Sequence, residues 1–127
     1  MQSSWPKQYL GLMSGFVIEA TIETLLQVPD LQGIVVALDP RDPYWEQTRY
    51  SSHPLVQRAP GGVERADSVL NALRHLLETA DADDWVMVHD AARPCVRIED
   101  IIELRRACES RPHGALLGMP VRDTMKI

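Results

Sequence analysis

The chain has 127 residues, with 13 Lys and Arg against 18 Asp and Glu, a formal net charge of −5. Its 45% apolar and 24% charged composition is that of one folded domain, taken as residues 1–127, and argues against disorder. No apolar run reaches the roughly 20 residues a membrane helix needs, Met1 to Lys7 has no apolar signal core, and the acidic total argues against a broad nucleic-acid surface, so neither a membrane nor a nucleic acid is an expected partner.

Ser14-Gly15 precedes a helical spacing of Ile18, Ile22, Leu25 and Leu26, which Pro29 stops. Ile34 to Leu38 is a short uninterrupted apolar run, the pattern of a strand buried on both faces, and Asp39-Pro40 closes it. Arg41 to Tyr50 mixes charge with aromatics and predicts a short surface helix, and Leu55 to Ala59 a second strand. Pro60-Gly61-Gly62 breaks the chain. A long helix follows, with Val69, Leu73, Leu76, Leu77 and Ala80 on one face and Arg74, His75 and Glu78 toward water, ending at Asp81 to Asp84. Trp85 to Val88 reads as another buried strand, and Pro94 marks a turn. Ile98, Ile101, Ile102 and Cys108 suggest a further helix, Gly114 to Met119 a small-residue strand, and Val121 to Ile127 an extended end. Strands separated by helical patterns predict an α/β fold with a mostly parallel sheet and helices on both faces. In such sheets ligands bind beyond the carboxyl ends of the strands.

Two segments after strands carry groups suited to a phosphate ligand. Asp90, just past Trp85 to Val88, is placed to hold a Mg²⁺ that also binds phosphate oxygens; an isolated aspartate there also reads as a capping or turn residue. Ala91 and Ala92 leave room for a ligand to reach the backbone, Arg93 adds a planar cation, and His89 reads as an orienting or packing residue. Gly61-Gly62-Val63-Glu64-Arg65-Ala66-Asp67-Ser68 offers two glycines before a helix start, where free N–H groups and Ser68 can meet an acceptor. The alternative is an ordinary glycine turn, and the segment fits neither a Walker loop nor Gly-x-Gly-x-x-Gly. Lys7, in Pro6-Lys7-Gln8-Tyr9, is either a fixed point charge or a solvated lysine, and Thr124 is placed for a phosphate or hydroxyl contact. Cys95 and Cys108 lack metal spacing and read as reduced thiols of a cytoplasmic protein, and the histidines at 53, 75, 89 and 113 give no zinc spacing.

Pro-Lys-Gln-Tyr, Gly-Gly-x-x-Arg-x-x-Ser-Val, His-Asp-Ala-Ala-Arg-Pro and Pro-Val-x-Asp-Thr follow one another in the order seen in the 2-C-methyl-D-erythritol 4-phosphate cytidylyltransferase family. The chain resembles that family over nearly its whole length. The resemblance implies a three-layer α/β/α nucleotide-diphospho-sugar transferase fold. It implies cytidylyl transfer from CTP to a sugar-alcohol phosphate, with Mg²⁺ as cofactor, in isoprenoid precursor synthesis. Lys7 would stabilise the α-phosphate in the transition state and Asp90 would bind Mg²⁺. Gly62, Val63 and Ser68 would line the cytosine site, with Val63 standing where some members carry an acidic residue. Ala91 would touch the nucleotide, and Arg93 and Thr124 would lie toward methylerythritol phosphate. Family members begin with a strand and an Ala-Ala-Gly-x-Gly-x-Arg-Met loop, whose methionine aligns with Met1. They continue past the position of Ile127 with a dimer-forming arm, a substrate-positioning arginine and lysine, and a second metal carboxylate. The resemblance therefore implies a partial domain whose isolated turnover is negligible, and a homodimer whose arm is missing here. A ribitol 5-phosphate cytidylyltransferase and a non-catalytic nucleotide-binding remnant are the alternative expectations.

Overall fold

The computed structural model describes residues 6–12, 15–111 and 113–118. Its centre is a parallel pair, β3 (Ile34–Leu38) and β4 (Val56–Pro60), in the register Ile34 opposite Val56 through Leu38 opposite Pro60. The Ile34 N–H to Leu55 O bond at 2.8 Å opens the ladder, and the Gly61 N–H to Leu38 O bond at 2.6 Å closes it. Ahead of this pair, two-residue strands β1 (Gly11–Leu12) and β2 (Gly15–Phe16) make a small antiparallel ribbon.

Helices cover both faces of the parallel pair. Side chains alternate along a strand, so Ile34, Val36 and Leu38 point one way with Val56. They join Tyr9, Trp45, Tyr50 and Ile18 and Ile22 of α1 (Val17–Leu25) in one buried core. Gln57 and Ala59 point the other way, toward α2 (Arg65–Leu76), where His75 Nε2 meets Gln57 Oε1 at 2.8 Å. Asn71 Nδ2 also donates to Pro60 O at 3.2 Å. The third helix, α3 (Ile98–Glu109), buries Ile101 and Cys108 and reaches the loop after α1 through Arg105, which donates to Pro29 O at 3.3 Å.

The start of α1 is fixed by a buried carboxylate. Glu19 Oε2 accepts the Phe16 N–H at 2.8 Å, and its Oε1 accepts the Arg49 N–H at 2.8 Å. One side chain thus satisfies an orphan helix donor and ties the β3–β4 connection to the helix. That connection holds a short 3-10 turn, Trp45–Gln47, with Trp45 and Tyr50 buried. The expected surface helix is therefore one turn, because its aromatics fill the core instead of facing water. Arg58 reinforces the connection by donating to Asp39 O at 2.8 Å.

Two expected strands are absent among the described residues. Trp85 to Val88 has no ladder partner, and all four side chains are exposed, Trp85 at 58%. The described part of Gly114 to Met119, residues 114–118, is likewise irregular. A strand exists only when a neighbouring strand takes its backbone N–H and C=O groups. For the same reason α2 buries no residue, and its Leu70 and Leu73 stay exposed, as does Leu77 just past its end. The helix also begins at Arg65, four residues before the first apolar position of the expected face.

Candidate functional site

The His89 to Arg93 loop is held by three internal contacts. Arg93 N–H donates to Asp90 O at 3.1 Å, forming a turn. His89 Nε2 lies 2.8 Å from Arg93 O. A carbonyl only accepts, so this ring nitrogen carries the proton and His89 braces the loop. Arg93 Nε meets Asp90 Oδ2 at 3.1 Å. A fourth contact reaches the loop from below: the hydroxyl of Thr21, on α1 and 2% exposed, donates to Ala91 O at 2.8 Å.

This loop and the Pro6–Tyr9 segment face each other across a cavity of about 480 Å³, lined by Lys7, Gln8, Ala37, Leu38 and Asp90 to Arg93. Ala37 and Leu38 are the last residues of β3, so the cavity opens at the carboxyl end of that strand. Lys7 sits in a 3-10 turn, Lys7–Tyr9, whose Tyr9 is buried and packs edge-on against Phe16 at 5.7 Å. Burial first, and then the Asp42 carboxylate, push the Tyr9 phenol far above its ordinary value. Tyr9 is thus a neutral anchor beneath an exposed lysine.

The glycine segment stands at the N-terminus of α2. Gly62 N–H donates to Ser68 Oγ at 2.9 Å, and Glu64 N–H donates to Asp67 Oδ2 at 3.1 Å. A Cβ on Gly62 would collide with Asp67 Cβ and lie 2.9 Å from the Asp67 carbonyl carbon, so only glycine lets the loop fold back onto the helix start. Val63 is 99% exposed and touches no core. Gly62, Val63 and Ser68 do not line the cavity beside Lys7. Arg65 makes the link: from the first turn of α2 its Nη1 contacts Asp90 Oδ1. Thr124 lies outside the described residues, so its expected role has no geometry here.

Lys7, Asp90, Ala91 and Arg93 are therefore brought together, and Gly62, Val63 and Ser68 form a neighbouring patch joined to them by Arg65. Thr21 and Arg65 had no role assigned from sequence. Arg65 stands within the Gly-Gly-x-x-Arg motif, where a cation beside a carboxylate loop was a usable signal. Thr21 sits on a helix face that gives no such signal.

The oxygen donor at this cavity is of the hard kind. The described residues hold no cluster of three or more His, Cys, Asp or Glu that could cage an ion. A single hard carboxylate, here paired with Arg65 and Arg93, is a donor of the type used by hard divalent cations such as Mg²⁺, which bind through one or two carboxylates and otherwise through water and substrate phosphates. Cys95 is exposed and Cys108 buried, both as free thiols. No helix among the described residues is long and apolar enough to cross a membrane.

Comparison with known proteins identifies a family for the chain. The family model described as IspD, 2-C-methyl-D-erythritol 4-phosphate cytidylyltransferase, matches residues 1–127. The 2-C-methyl-D-erythritol 4-phosphate cytidylyltransferase of Vibrio vulnificus (strain CMCP6) is 48% identical over 126 residues, 99% of this chain and 53% of that protein. The protein of the same name from Pseudomonas aeruginosa (strain UCBPP-PA14) is 50% identical over 127 residues, 99% of this chain and 54% of its own length. A crystal structure of 4-diphosphocytidyl-2C-methyl-D-erythritol synthase superposes with a TM-score of 0.84 at 31% identity, covering 96% of this chain and 59% of that one. The chain spans about half the length of the curated relatives it matches. The partial α/β nucleotidyltransferase fold and the match over residues 1–127 lead to one assignment: the chain belongs to the 2-C-methyl-D-erythritol 4-phosphate cytidylyltransferase family.

Proposed function

We propose that residues 1–127 form the nucleotide-binding part of an enzyme that transfers a cytidylyl group from CTP to 2-C-methyl-D-erythritol 4-phosphate and releases pyrophosphate. The observation that carries this reading is the convergence of Lys7, Asp90 and Arg93 on one cavity at the carboxyl end of β3. The nucleophile in such a reaction is a phosphate oxygen, already ionised at neutral pH, so no strong base is required. The barrier lies in bringing two anions together and in the charge that builds on the α-phosphate. Lys7 supplies a point charge held over the buried Tyr9, and Arg93 a planar cation for the acceptor phosphate. Asp90 would hold Mg²⁺, which when bound neutralises phosphate charge. Gly62, Val63 and Ser68 offer backbone and hydroxyl groups at the start of α2 for the cytosine ring.

The test is nucleotide selectivity in Mg²⁺, followed by ¹⁵N–¹H chemical shifts of the chain. CTP should saturate shifts at Lys7, Gly62, Ser68 and Asp90 to Arg93 at lower concentration than ATP does. Equal response to CTP and ATP, or shifts confined to other residues, would overturn the assignment. Shifts at Arg93 under methylerythritol phosphate against ribitol 5-phosphate read acceptor choice, with saturation at lower concentration expected from the former.

A further inference from the structure

Asp90 is the carboxylate that meets metal in the reading above, yet neither of its oxygens is free. Arg65 contacts Oδ1 and Arg93 Nε holds Oδ2 at 3.1 Å. Lys7 lines the same cavity. Two arginines hold this one carboxylate and a lysine lines the same cavity, three cations to one anion among these four side chains. Such surroundings repel a bare divalent cation and attract an anion. A nucleoside triphosphate carrying its own Mg²⁺ is an anion.

We propose that Arg65 is a positioning residue that occupies Asp90 until a nucleoside triphosphate delivers the metal, and then moves its guanidinium onto the polyphosphate. The inference rests on the assignment of Asp90 to nucleotide-borne Mg²⁺. Arg65 suits the exchange. Its side chain is 67% exposed against 29% for Asp90, so it can swing without disturbing the core. It leaves the first turn of α2, the same turn that carries the glycine segment, so it stands between the base patch and the phosphate cavity. A guanidinium pairs with phosphate as readily as with carboxylate, so leaving Asp90 costs it no partner. The outcome is an order of binding: metal enters with nucleotide and not before it.

The experiment uses Mn²⁺ as probe, read by electron paramagnetic resonance, with and without CTP. Arg65→Gln frees Asp90 Oδ1, so Mn²⁺ alone should bind about two- to fivefold more tightly, the range set by an exposed charge pair. The same variant should bind Mn²⁺–CTP about two- to fivefold more weakly, because a phosphate cation is lost. Arg65→Lys should restore part of both effects. Arg74→Gln, on the same helix but away from the cavity, should change neither. A merely structural Arg65 would move both affinities the same way or neither, and either result would overturn the proposal. Wild-type chain that ignores CTP altogether would instead remove the nucleotide reading beneath it. Both arginines are exposed, and an unchanged circular dichroism melt confirms that the variants are folded.

Discussion

Replacing Thr21 by valine removes one hydroxyl and keeps the branched shape. Thr21 is 2% exposed, and its hydroxyl donates to Ala91 O at 2.8 Å, with Val17 O at 3.1 Å as its second neighbour. It has one proton, and the shorter bond is the one to the loop. A neutral hydrogen bond contributes about 0.5–1.5 kcal/mol net, and a carbonyl stranded beside a methyl group adds part of its desolvation cost, so Thr21→Val should cost about 1–2 kcal/mol. For a chain of this size that is a fall of about 4–8 °C in melting temperature. The loop effect is separate. Ala91 sits between Asp90 and Arg93 in a turn that depends on the Arg93 N–H to Asp90 O bond, so freeing Ala91 O loosens the carboxylate. Urea unfolding followed by circular dichroism reads the first effect, and Mn²⁺–CTP affinity reads the second. Thr21→Ser keeps the proton and should retain most of both. Serine and valine variants of equal stability, or a valine variant as stable as the parent, would refute the reasoning.

Three further changes probe other contacts. Glu19→Gln presents an amide N–H₂ to one of two backbone donors, Phe16 N–H or Arg49 N–H, and should cost about 2–3 kcal/mol in urea unfolding, the range for hydrogen bonds to a charged group. Gly62→Ala puts a methyl into Asp67, shifts the first turn of α2 and should abolish the CTP-dependent shifts at Ser68, at a stability cost of about 1–3 kcal/mol. The Asp100 carboxyl on α3 is held below its ordinary 3.8 by the Arg97 guanidinium, which meets it at 2.6 and 2.9 Å. A depressed folded value stabilises the fold above the ordinary value and is lost as pH falls through the folded one. A carboxyl ¹³C titration should therefore place the Asp100 midpoint below 3.8, and Arg97→Gln should move it up.

Much of the fold was legible wherever a segment's own pattern decided it. The uninterrupted run Ile34 to Leu38 became β3, and the spacing of Ile18, Ile22 and Leu25 became the buried face of α1. Leu55 to Ala59 became β4 one residue later than expected, and the isoleucine spacing after Pro94 became α3. Four of the candidate residues also fall together in space. Lys7, Asp90, Ala91 and Arg93 were picked out by residue type and place, and they line one cavity. Arg65 and Thr21 escaped because their roles depend on partners 25 and 70 residues away, and local pattern carries no such distances.

Trp85 to Val88 shows why a strand pattern alone is insufficient. Its residues are as apolar as those of β3, yet they stay exposed and unpaired while β3 forms a ladder. Burial of apolar area rewards both segments at about 25 cal/mol per Å², so hydrophobicity does not separate them. The difference is the backbone. Each N–H and C=O of β3 that faces β4 has a partner, whereas removing the 85–88 backbone from water without a partner would cost more than its side chains return. Pairing therefore decides burial, not the reverse. The same accounting leaves Leu70 and Leu73 of α2, and Leu77 just after it, uncovered, because the 85–88 segment that borders them through Val86 is itself not seated in a sheet. The loop beside the cavity escapes this fate. His89 to Arg93 is held by its own turn, by Thr21 and by Arg65, three contacts that need no strand before them, and so the cavity keeps its wall.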